Sequence, residues 1–563
     1  MKSLITWICL LVSTSTFAQD IAQEYIHRWK AFYPSQALQM GMHDVVFDFE
    51  QGGNIQEWVN YNRSVYQKLG QKYKTGYKTE TINLRLLKSQ ALQELYKWTE
   101  ERSHEHSLSY YTNLLSNFYN RPSRASFLTE DDLRYLKCKS FDAITNICLS
   151  LKRNLTTIHD ENTERSINTI NIIKYDLNSQ LKKDLSNQPC EGYNARIELA
   201  MDQLGSILDH IQKIPHQPKS PILGKEDYGK QLAIYTDSNL TPAELEKMAM
   251  EEIVETKRLM AEVSRSYLSA MYPQKALPTN EDDIITLALD DMEKDVVTSA
   301  QEYLEFWEGL TKSATRFVEE KGIATLPEFP TLQIKTAPES AGAAARIGWV
   351  SSAPPFDPNP VTTLYLPSIP DTLSQQEQID FWSSFNKPFN RMIVIHELIP
   401  GHYMQLKISR ETPHKIRLMF PYGPYIEGWA TFTEKIVLDA GWEKERPLTY
   451  LAHLRKRLEN ANRAYTSVMV HCHEWDQEQV MNFSTETSLL APQFAKSLWG
   501  RLMRSPMQIT SYFYGGALFK ELYDHETARL GKDFNLKHFM DTIMKAGPIP
   551  VEEFYHIFNP THD

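Results

Sequence analysis

Between residues 21 and 322 the apolar side chains recur mostly at intervals of three to four positions. Such spacing lines one face of a helix but would scatter the same residues over both faces of a strand, so the chain is confined to mainly helical folds. Ile82, Leu84, Leu87, Leu92, Leu95 and Trp98 form one stripe, and Ile197, Leu199, Leu204, Ile207 and Ile211 another. Thr241-Pro242-Ala243-Glu244 is a capping box with proline at the first helical position, opening a long helix toward Tyr272. Asn280-Glu281-Asp282-Asp283 reads as a further helix start, where acidic side chains suit the dipole. Only 22 of 563 residues are glycine, which again favours helix over an all-β fold. The pattern changes near Leu326. Residues 331–335, 346–351 and 362–366 read as short strands, with Pro354-Pro355 and Asp357-Pro358-Asn359-Pro360 as a turn between the last two. The expected architecture is a helical N-terminal part (residues 19–325), then a small β-sheet beside an active-site helix and a helical catalytic part (residues 326–563), forming one continuous cleft-containing unit.

The N-terminus reads as an export signal. Lys2 precedes an apolar stretch over residues 4–12, and Thr16-Phe17-Ala18 precedes Gln19. Residues 1–18 therefore read as a signal peptide cleaved after Ala18. Cys9 sits inside the apolar stretch rather than after it, which argues against a lipoprotein anchor. No later run is long enough to span a bilayer, so no integral membrane anchor is expected after cleavage and the mature chain should be periplasmic or secreted. Export permits disulfides among Cys138, Cys148, Cys190 and Cys472. Three full pairings are open, and Cys138 and Cys148 are near enough in sequence to be bridged. A net charge of −11 argues against a nucleic-acid partner, whose phosphates need a basic face.

Chemistry concentrates in residues 391–405, R-M-I-V-I-H-E-L-I-P-G-H-Y-M-Q. The zinc helix H-E-x-x-H presents two imidazoles at i and i+4 on one face. Here i+4 is Pro400, and the second imidazole, His402, comes six residues after His396. On a regular helix it would sit about 120° off that face. It converges only if Pro400-Gly401 distorts the helix and loops two residues out. The second segment, E-G-W-A-T-F-T-E, begins at Glu427, 25 residues beyond His402. Glu427 is the expected third metal ligand. Glu434, seven residues on and on the same helical face, is the carboxylate expected to orient a ligating histidine. Two imidazoles and one carboxylate suit Zn2+ with one position left open, and Glu397 is placed as general base.

These two segments resemble the bacterial family catalogued as domain of unknown function 885, which pairs H-E-x-x-P-G-H with a downstream E-G-W. Ser35-Gln36-Ala37-Leu38-Gln39-Met40-Gly41 matches the opening of that family loosely. Arg463, His471 and Trp475 fit its R…H-x-x-G-W segment, with Glu474 in place of the glycine and Ser467 where an aspartate is expected. Pro506, Gln508, Tyr512 and Gly515 fit P-x-Q-x-x-x-Y-x-x-G, while Leu502 replaces a tyrosine. The family is in turn similar to the helical zinc peptidases that include thimet oligopeptidase, angiotensin-converting enzyme and the thermostable carboxypeptidases. The resemblance implies a metallopeptidase-like helical fold and hydrolysis of short peptides, since helical walls around a cleft exclude folded proteins.

Further roles complete the expected site. Tyr512 and His471 are candidate donors to the developing oxyanion. Arg463 and Arg501 are candidates to hold a substrate carboxylate, and strand 346–350 to pair with an extended peptide. Plainer readings stand beside these. His471 reads equally as a buried structural histidine, Tyr512 as core beside Phe513 and Tyr514, Arg463 as the partner of Glu459, and Glu434 as a solvated helical side chain. At the level of function, the alternatives are a non-catalytic exported zinc- or peptide-binding protein and a zinc hydrolase of another amide or ester.

Overall fold

The computed structural model describes residues 20–42, 54–72, 79–120, 128–181, 190–328, 331–346, 348–369 and 373–559. The expected leader, residues 1–18, lies outside them. The described chain is mainly helical and contains a three-stranded sheet. Its contacts gather into two compact units. The first comprises the chain up to Pro221 together with Pro354–Pro360, and the second Ile222–Ala353 with Val361 onward. The change of sequence pattern at 325/326 falls inside the second unit.

In the first unit, the helices Leu108–Asn120, Glu130–Asn154, Glu164–Leu181 and Tyr193–Ile211 bury Tyr111, Phe141, Ile170, Ile197 and Leu204 among them. The stripe expected at 194–214 is buried at Ile197, Leu204, Ile207 and Ile211, but Leu199 is 50% exposed. Two residues beyond Ile197, it falls about 200° round the helix and so faces out. Cys138 is bridged to Cys190, tying the helix Glu130–Asn154 to the start of Tyr193–Ile211. Cys148 lies on the same helix as Cys138, about 15 Å along it, which is beyond disulfide reach. It remains a buried thiol, and Cys472 is likewise unbridged. The proline-rich turn packs with this unit: the Phe356 amide donates to Met40 O at 2.9 Å.

The second unit holds the elements that matter for chemistry. These are α1 (Pro242–Met271), β1 (Leu332–Thr336), β2 (Trp349–Ser351), β3 (Thr362–Leu366), α2 (Lys387–Glu397), α3 (His402–Ser409), α4 (Gly423–Asp439), α5 (Pro447–His473), α6 (Pro492–Arg504) and α7 (Ser511–Leu530). α1 starts at the expected box: Thr241 Oγ1 accepts from the Glu244 amide, and the Glu244 carboxylate accepts from the Thr241 amide. α1 lies along α5, and α4 along α7. The sheet order is β1-β3-β2, with β1 parallel to β3 (Leu332 opposite Thr362) and β2 antiparallel to it (Val350 opposite Leu364), so β2 is an outer strand. Arg346, expected to begin a strand, instead closes a 3-10 turn, Glu339–Arg346, in an alanine-rich stretch that favours helical turns.

α5 ends at Glu474, whose backbone is left-handed (φ 56°, ψ 32°). This is the position at which the H-x-x-G-W pattern carries glycine, and a left-handed helix cap explains why. Glu474→Gly is expected to raise stability by about 1 kcal/mol, seen as a higher midpoint in urea denaturation. A lowered midpoint would show that the glutamate side chain earns its place through a contact that outweighs the backbone cost.

Candidate metal centre

Asn386 caps α2, accepting from the Phe389 amide at 2.9 Å, and Met392, Val394 and Ile395 bury the helix in the interior. The apolar run thus places His396 at the end of a buried helix, 3% exposed. α2 stops at Glu397 and α3 begins at His402. Across the break, the Gly401 amide donates to Ile395 O at 3.0 Å and the Met404 amide to Leu398 O at 3.2 Å. Each bond spans six residues where a regular helix spans four, so two residues are extra to the turn. The imidazoles of His396 and His402 meet with ring centroids 4.9 Å apart at 88°. Gly401 makes this possible. A Cβ at that position would lie 1.8 Å from His396 O and 2.3 Å from Ile395 O.

Glu427 arrives from α4. Its Oε2 is 3.3 Å from His402 Nε2 and 4.0 Å from His396 Nε2. One donor atom from each of the three residues lies within 4.8 Å of the others, the spread expected for ligands of a single ion. The second motif is fastened to the first: Trp429 Nε1–H donates to Pro400 O at 3.0 Å, and Gln405 Nε2–H to Tyr425 O at 3.4 Å. Gly428 lets α4 touch α7 backbone to backbone, since a Cβ there would stand 2.3 Å from Gly515 C. That contact brings Gln508 and Tyr512 to the site. Gln508 Nε2–H donates to Glu427 Oε1 at 3.3 Å and to Tyr512 Oη at 3.5 Å. Three of the four residues of P-x-Q-x-x-x-Y-x-x-G thus have distinct tasks: Gln508 contacts the carboxylate, Tyr512 stands beside it, and Gly515 admits the neighbouring helix.

The electrostatics fit a cation. Burial opposes charge on both His402 and Glu427, yet their mutual hydrogen bond and attraction, with Glu397 adding to the field at His402, raise His402 to about 9 and hold Glu427 at about 2. The proton between His402 and Glu427 thus occupies a place that a divalent ion would compete for. Two imidazoles and a carboxylate, convergent, with His396 buried and His402 and Glu427 half-buried, are the donor types zinc selects.

Glu434 is fully buried and bonds two histidines, His396 Nδ1 to Oε1 and His453 Nδ1 to Oε2, both at 2.7 Å. Burial alone would favour the neutral acid, but these two bonds hold the carboxyl at about 2, so it accepts from both rings. His396 therefore carries its proton on Nδ1 and presents the Nε2 lone pair to the site. Glu434→Gln would place an amide N–H2 against one ring N–H. The expected result is a 10- to 100-fold weaker zinc affinity and a stability loss of about 2 kcal/mol, checked by competition with a chromophoric chelator and by urea denaturation. Unchanged affinity would mean that His396 is oriented by packing alone.

The structure places the other expected residues unequally. His396, Glu397, His402, Glu427, Arg463 and Tyr512 line one cavity of about 380 Å³. Burial and the nearby Glu427 carboxylate push the Tyr512 phenol up, so it remains a donor. Arg463 lies over the Tyr512 ring at 4.9 Å and pairs with Glu459, as its plainer reading has it. Arg501 stands 5.7 Å from the same ring and lines an adjoining cavity of about 720 Å³. His471 is elsewhere. Its Nδ1 accepts from the Leu223 amide at 3.2 Å, Nε2–H donates to Leu502 O at 3.1 Å, and the ring stacks on Tyr228. Buried with both nitrogens engaged, it has no free atom for a substrate, so its structural reading replaces the catalytic one. Ser467 likewise bridges Tyr228 and Pro506 O, and Leu502 is fully buried. Sequence reasoning missed His453 and Lys456. With Asn460 and Arg463 they form a polar stripe at helical spacing on the otherwise buried α5, and that stripe was the available signal.

A sequence model of the family described as "Bacterial protein of unknown function (DUF885)" matches residues 34–554. No curated protein matches the chain. Solved structures share the fold, two of them over nearly the whole chain. One, described as a "putative lipoprotein of unknown function" from Shewanella oneidensis, is 21% identical with a TM-score of 0.79, covering 96% of this chain and 99% of that one. Another, described as "the putative lipoprotein from Colwellia psychrerythraea", is 14% identical with a TM-score of 0.72, covering 97% of this chain and 99% of that one. Among the described residues no helix is long and apolar enough to cross a membrane.

Proposed function

Because the chain belongs to the DUF885 family, described as bacterial proteins of unknown function, its activity must be read from its own residues, and we propose that it is an exported zinc-dependent peptidase acting on short peptides. The observation that carries this reading is the convergence of His396, His402 and Glu427 beside Glu397 in one cavity. A zinc ion held by those three would supply Lewis acidity to a peptide carbonyl and to the attacking water. Glu397 accepts the proton of that water and returns it to the leaving amine. Tyr512 donates from its phenol to the carbonyl oxygen as negative charge develops there. Val350 of the outer strand β2 and Ser352 just beyond it line the same cavity, so the strand edge can pair with an extended peptide without demanding a particular sequence. The leader read in residues 1–18 supports export.

The test is elemental analysis followed by exposure of a mixed peptide library to zinc-loaded and chelator-stripped protein. Stoichiometric zinc is expected, with cleavage lost on stripping and restored by zinc. A zinc-loaded chain that cleaves no peptide would overturn the peptidase reading in favour of binding without turnover, or of another amide or ester as substrate.

A further inference from the structure

The larger cavity, which shares Glu397 and Arg463 with the smaller one, concentrates positive charge in a chain whose net charge is −11. Six basic residues line it, against the carboxylates of Glu397 and Glu459. Three of the six are matched: Arg455 pairs with Glu293, while Lys456 and Arg463 share Glu459. The other three, Arg346, Arg501 and Arg504, have no carboxylate within ion-pair distance among the described residues. Arg501 is held in place by the Tyr512 ring and by Gln508 at 3.5 Å, so its guanidinium is positioned without being neutralised. Another part of the wall is aromatic. Trp349 and Tyr365 stack with centroids 4.6 Å apart, and Phe385 and Phe389 join them.

Building on the peptidase reading, we propose that this cavity is a subsite for a substrate carboxylate, received by Arg501 and Arg504, next to a large apolar side chain received by Trp349, Tyr365 and Phe389. The preferred substrates are then anionic peptides carrying an aromatic or bulky aliphatic residue. Guanidinium groups suit this task because their fork matches carboxylate geometry and their charge persists at any physiological pH. Arg463, tied to Glu459, is the less available cation. The carboxylate has two sources in a peptide, the C-terminus and an Asp or Glu side chain, and both present the same group to the two arginines.

The experiment uses dye-labelled peptides in matched pairs on the zinc-loaded wild-type chain, with both cleavage rate and binding by fluorescence anisotropy recorded. One pair differs as free C-terminal acid against C-terminal amide, the other as internal Glu against Gln. At least one pair should favour the acid by about ten-fold or more, and the pair that does so identifies the source. In Arg501→Gln/Arg504→Gln that ratio should fall to near one, and Arg501→Lys/Arg504→Lys should restore part of it. The single variant Arg504→Gln, at an exposed side chain, should lower it at least three-fold. Wild-type ratios within about two-fold of one in both pairs, for cleavage and binding alike, would overturn the subsite. So would a preference that the arginine variants leave intact. Absence of all cleavage would count against the peptidase reading, while the binding ratios would still decide the subsite.

Discussion

Gly401→Ala is expected to destabilise the second unit by on the order of 4 kcal/mol and to remove measurable zinc binding. The added methyl would sit 1.8 Å from His396 O and 2.3 Å from Ile395 O, both backbone atoms of the helix that carries the first imidazole. A flexible side chain could swing away; these carbonyls cannot move without drawing apart α2 and α3. The Gly401 amide is also the group that donates to Ile395 O, so displacement breaks a bond that closes the turn. Either adjustment separates His396 from His402, whose rings now meet at 4.9 Å. Gly309→Ala provides the contrast. It lies on the helix Ala300–Glu320, where an added Cβ meets nothing within 4 Å, and it should stabilise by about 0.5–1 kcal/mol. Urea denaturation of both variants, with zinc titration of each, makes the comparison. A Gly401→Ala chain as stable as wild type and retaining full zinc affinity would mean that the break between the helices tolerates a different backbone path.

This glycine shows which parts of the site can be read directly from a sequence. The interval of six between His396 and His402, with Pro400-Gly401 inside it, required a two-residue insertion in the helical turn, and the six-residue backbone bonds are that insertion. Glu434 was legible because seven residues from Glu427 is two helical turns. Strand 362–366 was legible because its β-branched and aromatic residues are bounded by turn signals. Contacts made across long stretches of chain were not. His453 shares a carboxylate with His396 only because α5 packs beside α4; the polar stripe on α5 marks its face of the helix but not its partner. The plainer reading of His471 prevailed through an amide at Leu223 and a carbonyl at Leu502, both remote in sequence. Nearness in sequence pointed to Cys138 with Cys148, and only the placement of the helix bearing Cys138 against that following Cys190 shows the bridge to be Cys138–Cys190. Local periodicity thus specifies elements and faces, whereas the shell of groups around the candidate metal ligands depends on which helices adjoin.

If the peptidase reading holds, Glu397→Gln should keep zinc at close to the wild-type level while lowering turnover by about 10³-fold. Glu397 is outside the three-residue donor set but lines the same cavity, so its removal leaves the ligands in place. Glutamine preserves its size and can still accept a hydrogen bond, but its amide cannot take a proton from water at neutral pH. The substitution also removes one of the negative charges that favour a proton on His402, which eases competition between zinc and that proton and offsets part of the lost attraction for the cation. His396→Ala and His402→Ala behave differently: each deletes a donor, and both should lose zinc to a similar degree together with activity. The diagnostic is therefore the separation of two readouts, metal content by elemental analysis and cleavage rate at saturating zinc. Wild-type turnover by Glu397→Gln would move the proton acceptor to another group and leave the H-E pair without a chemical role. Loss of zinc from that variant, equal to the loss in either histidine variant, would instead make Glu397 a ligand, and the cavity would have to find its base elsewhere.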